Sequence, residues 1–461
     1  MNKNVLYLFL FVLAGCFEGE KESPVILFAG EIVNPTNDYV VLYKGETIID
    51  SALLDKNNRF SFALDSTTNG LYHFNHTPEY QNVYLEKGDS LMVRLNTIDF
   101  DESLVFSGIG EELNNFLLEL YLNNEKEERH LYSKYYPLEP REFHTKIEEL
   151  RNVRIEEFKA LQTEVQLSKD AKELVEASIN YTYYTYKENY PFKHRKHSKK
   201  KTIKNLPNDF YTYRRDINFE NKNFTYLLPY YNFMINHFGN LAYMSCSHKC
   251  AIKNNEVKNQ LHYNRHKLEL IDSLVKEIEL KDNLFRNVAV DYLLKGHDKD
   301  ENNSIFIKEF HNLSGNNRHI QEIDNLYQGI KNIQPNKEIP NIFVLNTDGK
   351  SVALREISKG KKTVFYFWSG TNKRHFRDIS KQIAKLTIEK PKYSFVGINF
   401  NTDKASWKLL IKSSGLDQNN QYRTENFKKL RKTLIIYPLN TCIITEDTLI
   451  VDAFSSVYSS F

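Results

Sequence analysis

The chain has 461 residues, 41% of them hydrophobic and 26% charged, with 62 basic against 59 acidic side chains. That composition supports roughly two to four packed domains and excludes wholesale disorder. The near balance of charge leaves no electrostatic footprint for nucleic acid. The single apolar run able to enter a bilayer lies at the extreme N-terminus, which excludes a polytopic membrane protein.

That run, residues 5–14 after Lys3, is too short to span a bilayer as a helix but suits the core of a signal peptide. Leu13-Ala14-Gly15-Cys16 resembles the bacterial lipobox, in which cleavage before the cysteine leaves it as the lipid-bearing first residue. The acidic stretch Phe17-Glu18-Gly19-Glu20-Lys21-Glu22 is similar to the export signal of Bacteroidetes-type surface lipoproteins. The resemblance implies a signal peptide at 1–15, lipid on Cys16, a tether over 16–23, and a body held to the outer membrane, facing the periplasm or the surface. Multiple acyl chains exceed the two-signal threshold for stable anchoring.

From 24 to 108 short β-prone runs follow one another, at 25–32, 39–43, 47–53, 59–64, 70–74, 83–85, 90–95 and 104–106. Turns such as Asn34-Pro35-Thr36-Asn37 and Lys87-Gly88-Asp89 separate them. Strands at this spacing predict an antiparallel sandwich or barrel. The phrases Arg59-Phe60-Ser61-Phe62 and Tyr84-Leu85-Glu86-Lys87-Gly88-Asp89 resemble the N-terminal β-domain of many Bacteroidetes lipoproteins, the DUF4369 type. No residue there has catalytic spacing, so the domain reads as structural or binding.

At Ser107-Gly108-Ile109-Gly110 the period changes from two to 3.6. The glycines imitate the start of a dinucleotide fingerprint, but Leu113 stands at the third glycine and no βαβ unit surrounds it, which leaves a turn. Residues 109–334 predict a helical domain. Ile147, Leu150, Phe158, Leu161 and Val165 share one helix face, and Ile271, Leu274, Val275 and Ile278 follow the i, i+3, i+4, i+7 rule. Tyrosine and phenylalanine stripes around 181–184 and 226–231 read as core. The basic run 193–204, with His194 and His197, reads as a solvated loop.

From 335 to 461 strands and helices alternate: a strand at 339–345, a strand at 363–368, a helix at 374–388, a strand at 393–399, a helix at 403–413, and strands at 439–445 and 449–453. The chain as a whole thus reads as a multidomain α+β protein: an N-terminal sandwich or barrel, a central helical region and a C-terminal α/β unit. Leu345-Asn346-Thr347-Asp348-Gly349-Lys350, Val364-Phe365-Tyr366-Phe367-Trp368, Phe395-Val396-Gly397-Ile398-Asn399 with Trp407, and Tyr437-Pro438 are similar to the thioredoxin-like fold of the TlpA and AhpC/TSA-like branch. The resemblance implies a membrane-tethered thiol–disulfide oxidoreductase with Pro438 as the cis-proline facing its active site.

The sequence departs from that family at the chemistry. Aligning Trp368 with the first tryptophan of the motif F-W-A-x-W-C-x-x-C places Asn372 and His375 at the two cysteines, with Lys373 and Arg374 between. Disulfide exchange needs a thiolate to attack and a second thiol to resolve. No catalytic residue is therefore assigned, and the degenerate positions read as a binding surface for a protein, a peptide or an anionic ligand, or as scaffold. Lys373, Arg374 and His375 would join the positive end of a helix dipole there.

Three other cysteines enter the count beside Cys16. Cys442 reads as an apolar core side chain. Cys246 and Cys250 flank Ser247-His248-Lys249 and leave a local disulfide, free thiols, or redox and metal chemistry open. His262 and His266 stand one helical turn apart, where they could share a helix face and hold a metal, but with no acidic or thiolate residue beside them in the sequence they read as surface histidines. Gly349-Lys350-Ser351 lacks the first glycine of a phosphate loop, and neither G-x-S-x-G nor H-E-x-x-H occurs. No cofactor and no metal is assigned. The functional alternative is an envelope thiol–disulfide oxidoreductase working from Cys246 and Cys250 or with a cysteine recruited from a partner.

Overall fold

Period-two alternation, clearest in Arg59–Leu64 where phenylalanines and leucine point inward and every other residue is exposed, builds the N-terminal domain from half-buried strands. The computed structural model describes residues 25–461 except 66, 197–205, 247–249, 251, 254–255, 296–297 and 438; Cys16 and the expected signal peptide and tether lie outside them. Two compact units result, Met1–His237 and Phe238–Phe461, and the helical stretch 109–334 is divided between them.

The first unit begins with β1 (Ile26–Val33), β2 (Tyr39–Lys44), β3 (Thr47–Leu53), β4 (Arg59–Leu64), β5 (Gly70–His76), β6 (Glu79–Leu85), β7 (Ser90–Asn96) and β8 (Val105–Ile109). They form two four-stranded sheets, ordered β4-β1-β7-β8 and β3-β2-β5-β6. All neighbours are antiparallel except β1 and β7. The rings of Phe28, Phe60, Phe62 and Phe74 meet between the sheets at 5.5 to 6.3 Å. Each such buried side chain contributes about 1.5–3 kcal/mol, and this aromatic cluster holds the sandwich.

Gly108 and Gly110 serve the exit from this domain. Gly110 caps the helix Glu111–His130 in the left-handed conformation, φ 98°, and a Cβ on Gly108 would stand 2.2 Å from the Ser90 carbonyl. The backbone requires glycine at both places without any nucleotide. Asn114 then fastens that helix to the sandwich, accepting from the Tyr84 N–H (2.8 Å) and donating to the Tyr84 carbonyl (2.9 Å).

Helices Pro140–Glu164 and Lys169–His194, with residues 228–237 of Leu228–Ser245, enclose an aromatic core. Tyr181 meets Tyr230 at 4.8 Å and Phe233 at 5.0 Å. Ile147 and Phe158 are buried on the expected face, whereas Leu150, Leu161 and Val165 are half-buried. The basic run does not begin as a loop. Lys193 and His194 complete a helix, with His194 buried under Tyr190 and its Nδ1 2.7 Å from the Tyr136 carbonyl; residues 197–205, His197 included, lie outside the described ones.

In the second unit Gln260–Leu274, Ile278–Lys295, Asp300–Ser314 and Ile320–Asn332 are helical, and a short hairpin of β9 (Ile252–Lys253) and β10 (Glu256–Val257) precedes them. The helix face expected through Ile278 is broken. Glu277 accepts from the N–H of Leu280 at 2.6 Å and so starts a new helix, leaving Ile278 73% exposed.

The C-terminal sheet contains β11 (Phe343–Leu345), β12 (Ser351–Ala353), β13 (Lys362–Trp368), β14 (Tyr393–Asn399), β15 (Gln421–Arg423), β16 (Thr441–Glu446) and β17 (Leu449–Ser456). Their order is β12-β11-β15-β14-β13-β16-β17. Parallel β13, β14 and β15 form the centre, and the antiparallel hairpins β16–β17 and β11–β12 close the edges. Helices Lys373–Glu389, Lys404–Ser414 and Phe427–Leu434 connect them. Val364 through Trp368 are fully buried on both faces, as a central parallel strand requires. This is the thioredoxin-like arrangement, with two strands, β12 and β15, and two helices, Leu354–Ser358 and Phe427–Leu434, that the hydrophobic pattern did not separate.

Candidate functional site

Open α/β sheets place their working residues beyond the carboxyl ends of the parallel strands. Here that place is the link from β13 to the helix Lys373–Glu389. The link is pinned from beneath. Gly370 N–H donates to Thr402 Oγ1 (2.8 Å), which also accepts from Asn399 Nδ2 (3.0 Å) and donates to the Phe400 carbonyl (3.1 Å). Ser369 and Thr371 hydroxyls pair at 2.8 Å.

Asn372 is the helix cap. Its Oδ1 accepts from the His375 N–H at 3.0 Å, the ordinary use of asparagine at this position. Lys373 and Arg374 are exposed, and no acidic residue occupies the first turn. His375 is half-buried, and burial pushes its imidazole below the ordinary range, with Asn440 and Asp378 acting the other way. Asn440 approaches the ring without reaching hydrogen-bond geometry, so neither ring nitrogen is paired among the described residues. Pro438 lies outside the described residues.

Below the link a polar relay crosses the core. Trp368 Nε1 donates to Gln421 Oε1 (3.2 Å), and Gln421 Nε2 donates to the Tyr366 hydroxyl (2.9 Å). Burial pushes the Tyr366 phenol up, so it stays neutral. The relay orients side chains and offers no nucleophile.

The sulfurs are elsewhere. Cys442 is fully buried in the cluster containing Val364, Trp368, Ile379 and Ile383. Burial, then Asp452, pushes its thiol up to about 12, which leaves almost no thiolate at neutral pH. Cys246 and Cys250 are joined as a disulfide with their Cα atoms 6.1 Å apart. His262 is brought to that pair, its ring nitrogen and both sulfurs lying within 4.8 Å of one another. Sequence spacing did not show this, because the hairpin β9–β10 turns the chain back between them. His266 lies on the same helix face as His262 and contacts Ser245 Oγ at 2.9 Å.

A second cluster had no sequence signal at all. Glu188, with 0% exposure, meets His237 Nδ1 at 2.8 Å, the Tyr213 hydroxyl at 3.0 Å and the Arg214 guanidinium. Burial alone would raise its carboxyl, but His237 and Arg214 reverse the direction and hold it below the usual range. Tyr213, Arg214 and His237 stand 25, 26 and 49 residues from Glu188 in the chain.

No family model matches the chain, and no curated protein matches it. Among solved structures it is similar to the thioredoxin domain of a thiol-disulfide oxidoreductase from Bacteroides vulgatus, at 19% identity over 26% of this chain and 86% of that one, TM-score 0.23. A thiol-disulfide oxidoreductase from Bacteroides fragilis matches at 20% identity over 25% and 88% of the two chains, TM-score 0.23. A thioredoxin-like protein from Bacteroides caccae covers 53% of this chain and 86% of its own, at 10% identity and TM-score 0.34. The fold assignment rests on the strand order described above. No helix among the described residues is long and apolar enough to cross a membrane.

Proposed function

We propose that the chain is a lipid-anchored protein of the bacterial envelope whose thioredoxin-like domain has given up disulfide exchange and serves as a binding surface or scaffold. One observation carries the redox part of this reading. The helix start that would present the attacking cysteine presents Asn372, and its side chain is committed to the His375 N–H. An amide that caps a helix neither attacks nor resolves a disulfide. Lys373 and Arg374 beside the positive end of the helix dipole favour an anionic or polypeptide partner.

The test is reduction of a protein disulfide by the full chain with a dithiol as electron source. Background rates are expected. Asn372→Cys/His375→Cys, which restores the two sulfurs at the helix start, is expected to raise the rate above background. Turnover by the unaltered chain overturns the proposal, and its loss in Cys246→Ser/Cys250→Ser would move the chemistry to that pair, the oxidoreductase alternative. The anchor is tested separately: Cys16→Ser is expected to release the protein from the membrane fraction.

A further inference from the structure

From the cluster at the start of the second unit we infer a metal site: in the dithiol state Cys246, Cys250 and His262 bind one zinc ion, and disulfide formation closes the site. Three observations meet there. First, the donors converge, with their ligand atoms within 4.8 Å of one another. Bonds of about 2.3 Å to sulfur and 2.0–2.1 Å to nitrogen put ligand atoms of a tetrahedral zinc roughly 3.5–3.8 Å apart, so opening the disulfide and a small contraction complete the geometry.

Second, the donors are held in place by backbone. The Asn259 N–H donates to the Cys250 carbonyl at 3.1 Å, closing the loop that contains the β9–β10 hairpin. Asn259 also caps the next helix by accepting from the His262 N–H at 3.0 Å. One residue therefore fixes Cys250 on one side and His262 on the other. A disulfide by itself needs no such imidazole, whereas two thiolates and a histidine are a donor set for zinc.

Third, the sulfurs are enclosed. Cys246 is 8% exposed and Cys250 is 0% exposed. Two buried thiolates are unfavourable without a counter-charge, and a divalent cation supplies it. Three protein ligands leave one coordination position for water.

The electron and proton balance is simple. The disulfide accepts two electrons and two protons from a dithiol reductant, which becomes a disulfide. Each new thiol then gives its proton to solvent as zinc binds. Oxidation of the two thiolates by a disulfide-bearing oxidant reverses the process and releases the ion.

Cobalt(II) is the probe, because tetrahedral thiolate ligation gives it visible absorption that zinc lacks. The full chain is reduced with a phosphine without oxygen and titrated. One equivalent of cobalt is expected to develop ligand-field and sulfur-to-cobalt bands, which one equivalent of zinc abolishes. The chain with its disulfide intact is expected to give no bands, a comparison that needs no variant. His262→Ala is expected to weaken binding at least tenfold, and Cys246→Ser/Cys250→Ser to remove it while Cys442 is still present. The inference is overturned by a reduced chain without a one-to-one complex, by equal binding in the oxidised chain, or by a His262→Ala variant of unchanged affinity.

Discussion

Around Glu188 a carboxylate with no solvent exposure is met by donors from two other segments of the chain. At the start of the helix Lys373–Glu389 two cations face water, and the adjacent polar side chain caps backbone. The perturbed ionisation thus sits where it closes a fold, and the start of the helix Lys373–Glu389 holds residues of local structural use. A perturbed carboxylate in a core of tyrosines is a structural ion network unless a substrate can reach it.

The largest expected effect tests the first half of that contrast. Glu188→Ala removes the buried carboxylate that meets Arg214 and His237 and is expected to cost about 3–5 kcal/mol in denaturant unfolding. The same group sets an acid limit. Its carboxyl is held low in the folded state, so its stabilisation is complete above the ordinary carboxylate value of about 4.3 and drains away as pH falls through the lowered value. Unfolding free energy measured from pH 7 downward should decline in that range, and less steeply in Glu188→Ala.

A smaller effect is expected beneath the link from β13 to the helix Lys373–Glu389. A Cβ on Gly397 would stand 2.2 Å from Gln421 Oε1 and 2.7 Å from the Tyr366 hydroxyl. Gly397→Ala displaces the relay and is expected to cost about 1–3 kcal/mol, read by thermal unfolding and by the fluorescence of Trp368. At the helix start Asn372→Ala is expected to cost about 1 kcal/mol, the usual worth of an N-cap. Lys373→Glu/Arg374→Glu should stay within about 0.5 kcal/mol, since both side chains are exposed. A large stability loss there would tie these cations to the fold rather than to a partner, whose capture the same variant should weaken.

Elements with a strong period were legible in the sequence. Arg59–Leu64, Lys362–Trp368 and Tyr393–Asn399 announce themselves by alternation or by continuous apolarity. Gln421–Arg423 did not, because three residues carry no period and its pairing with β14 is entirely long-range. Phe427–Leu434 was equally silent, although Asn426, which accepts from the Lys429 N–H, gives it a cap. That residues 372 and 375 are asparagine and histidine rather than cysteine was legible at once. The company of His262 with Cys246 and Cys250, and of Glu188 with Arg214 and His237, was not, because folded loops and tertiary packing create those neighbours.

Ile435, which ends the helix Phe427–Leu434, is a β-branched residue at φ 51°, ψ 48°. That conformation costs about 1–2 kcal/mol and persists only where surroundings impose it. Its Cδ1 lies 2.7 Å from where a Cβ of Gly329 would be, against the helix Ile320–Asn332. The strained residue and that helix therefore hold each other, and the helix is expected to open together with the sheet as one cooperative unit. In hydrogen exchange the amides of Ile320–Asn332 should be protected in step with those of β13, and a fragment starting at residue 335 should carry the strain of Ile435 without the contact that sustains it.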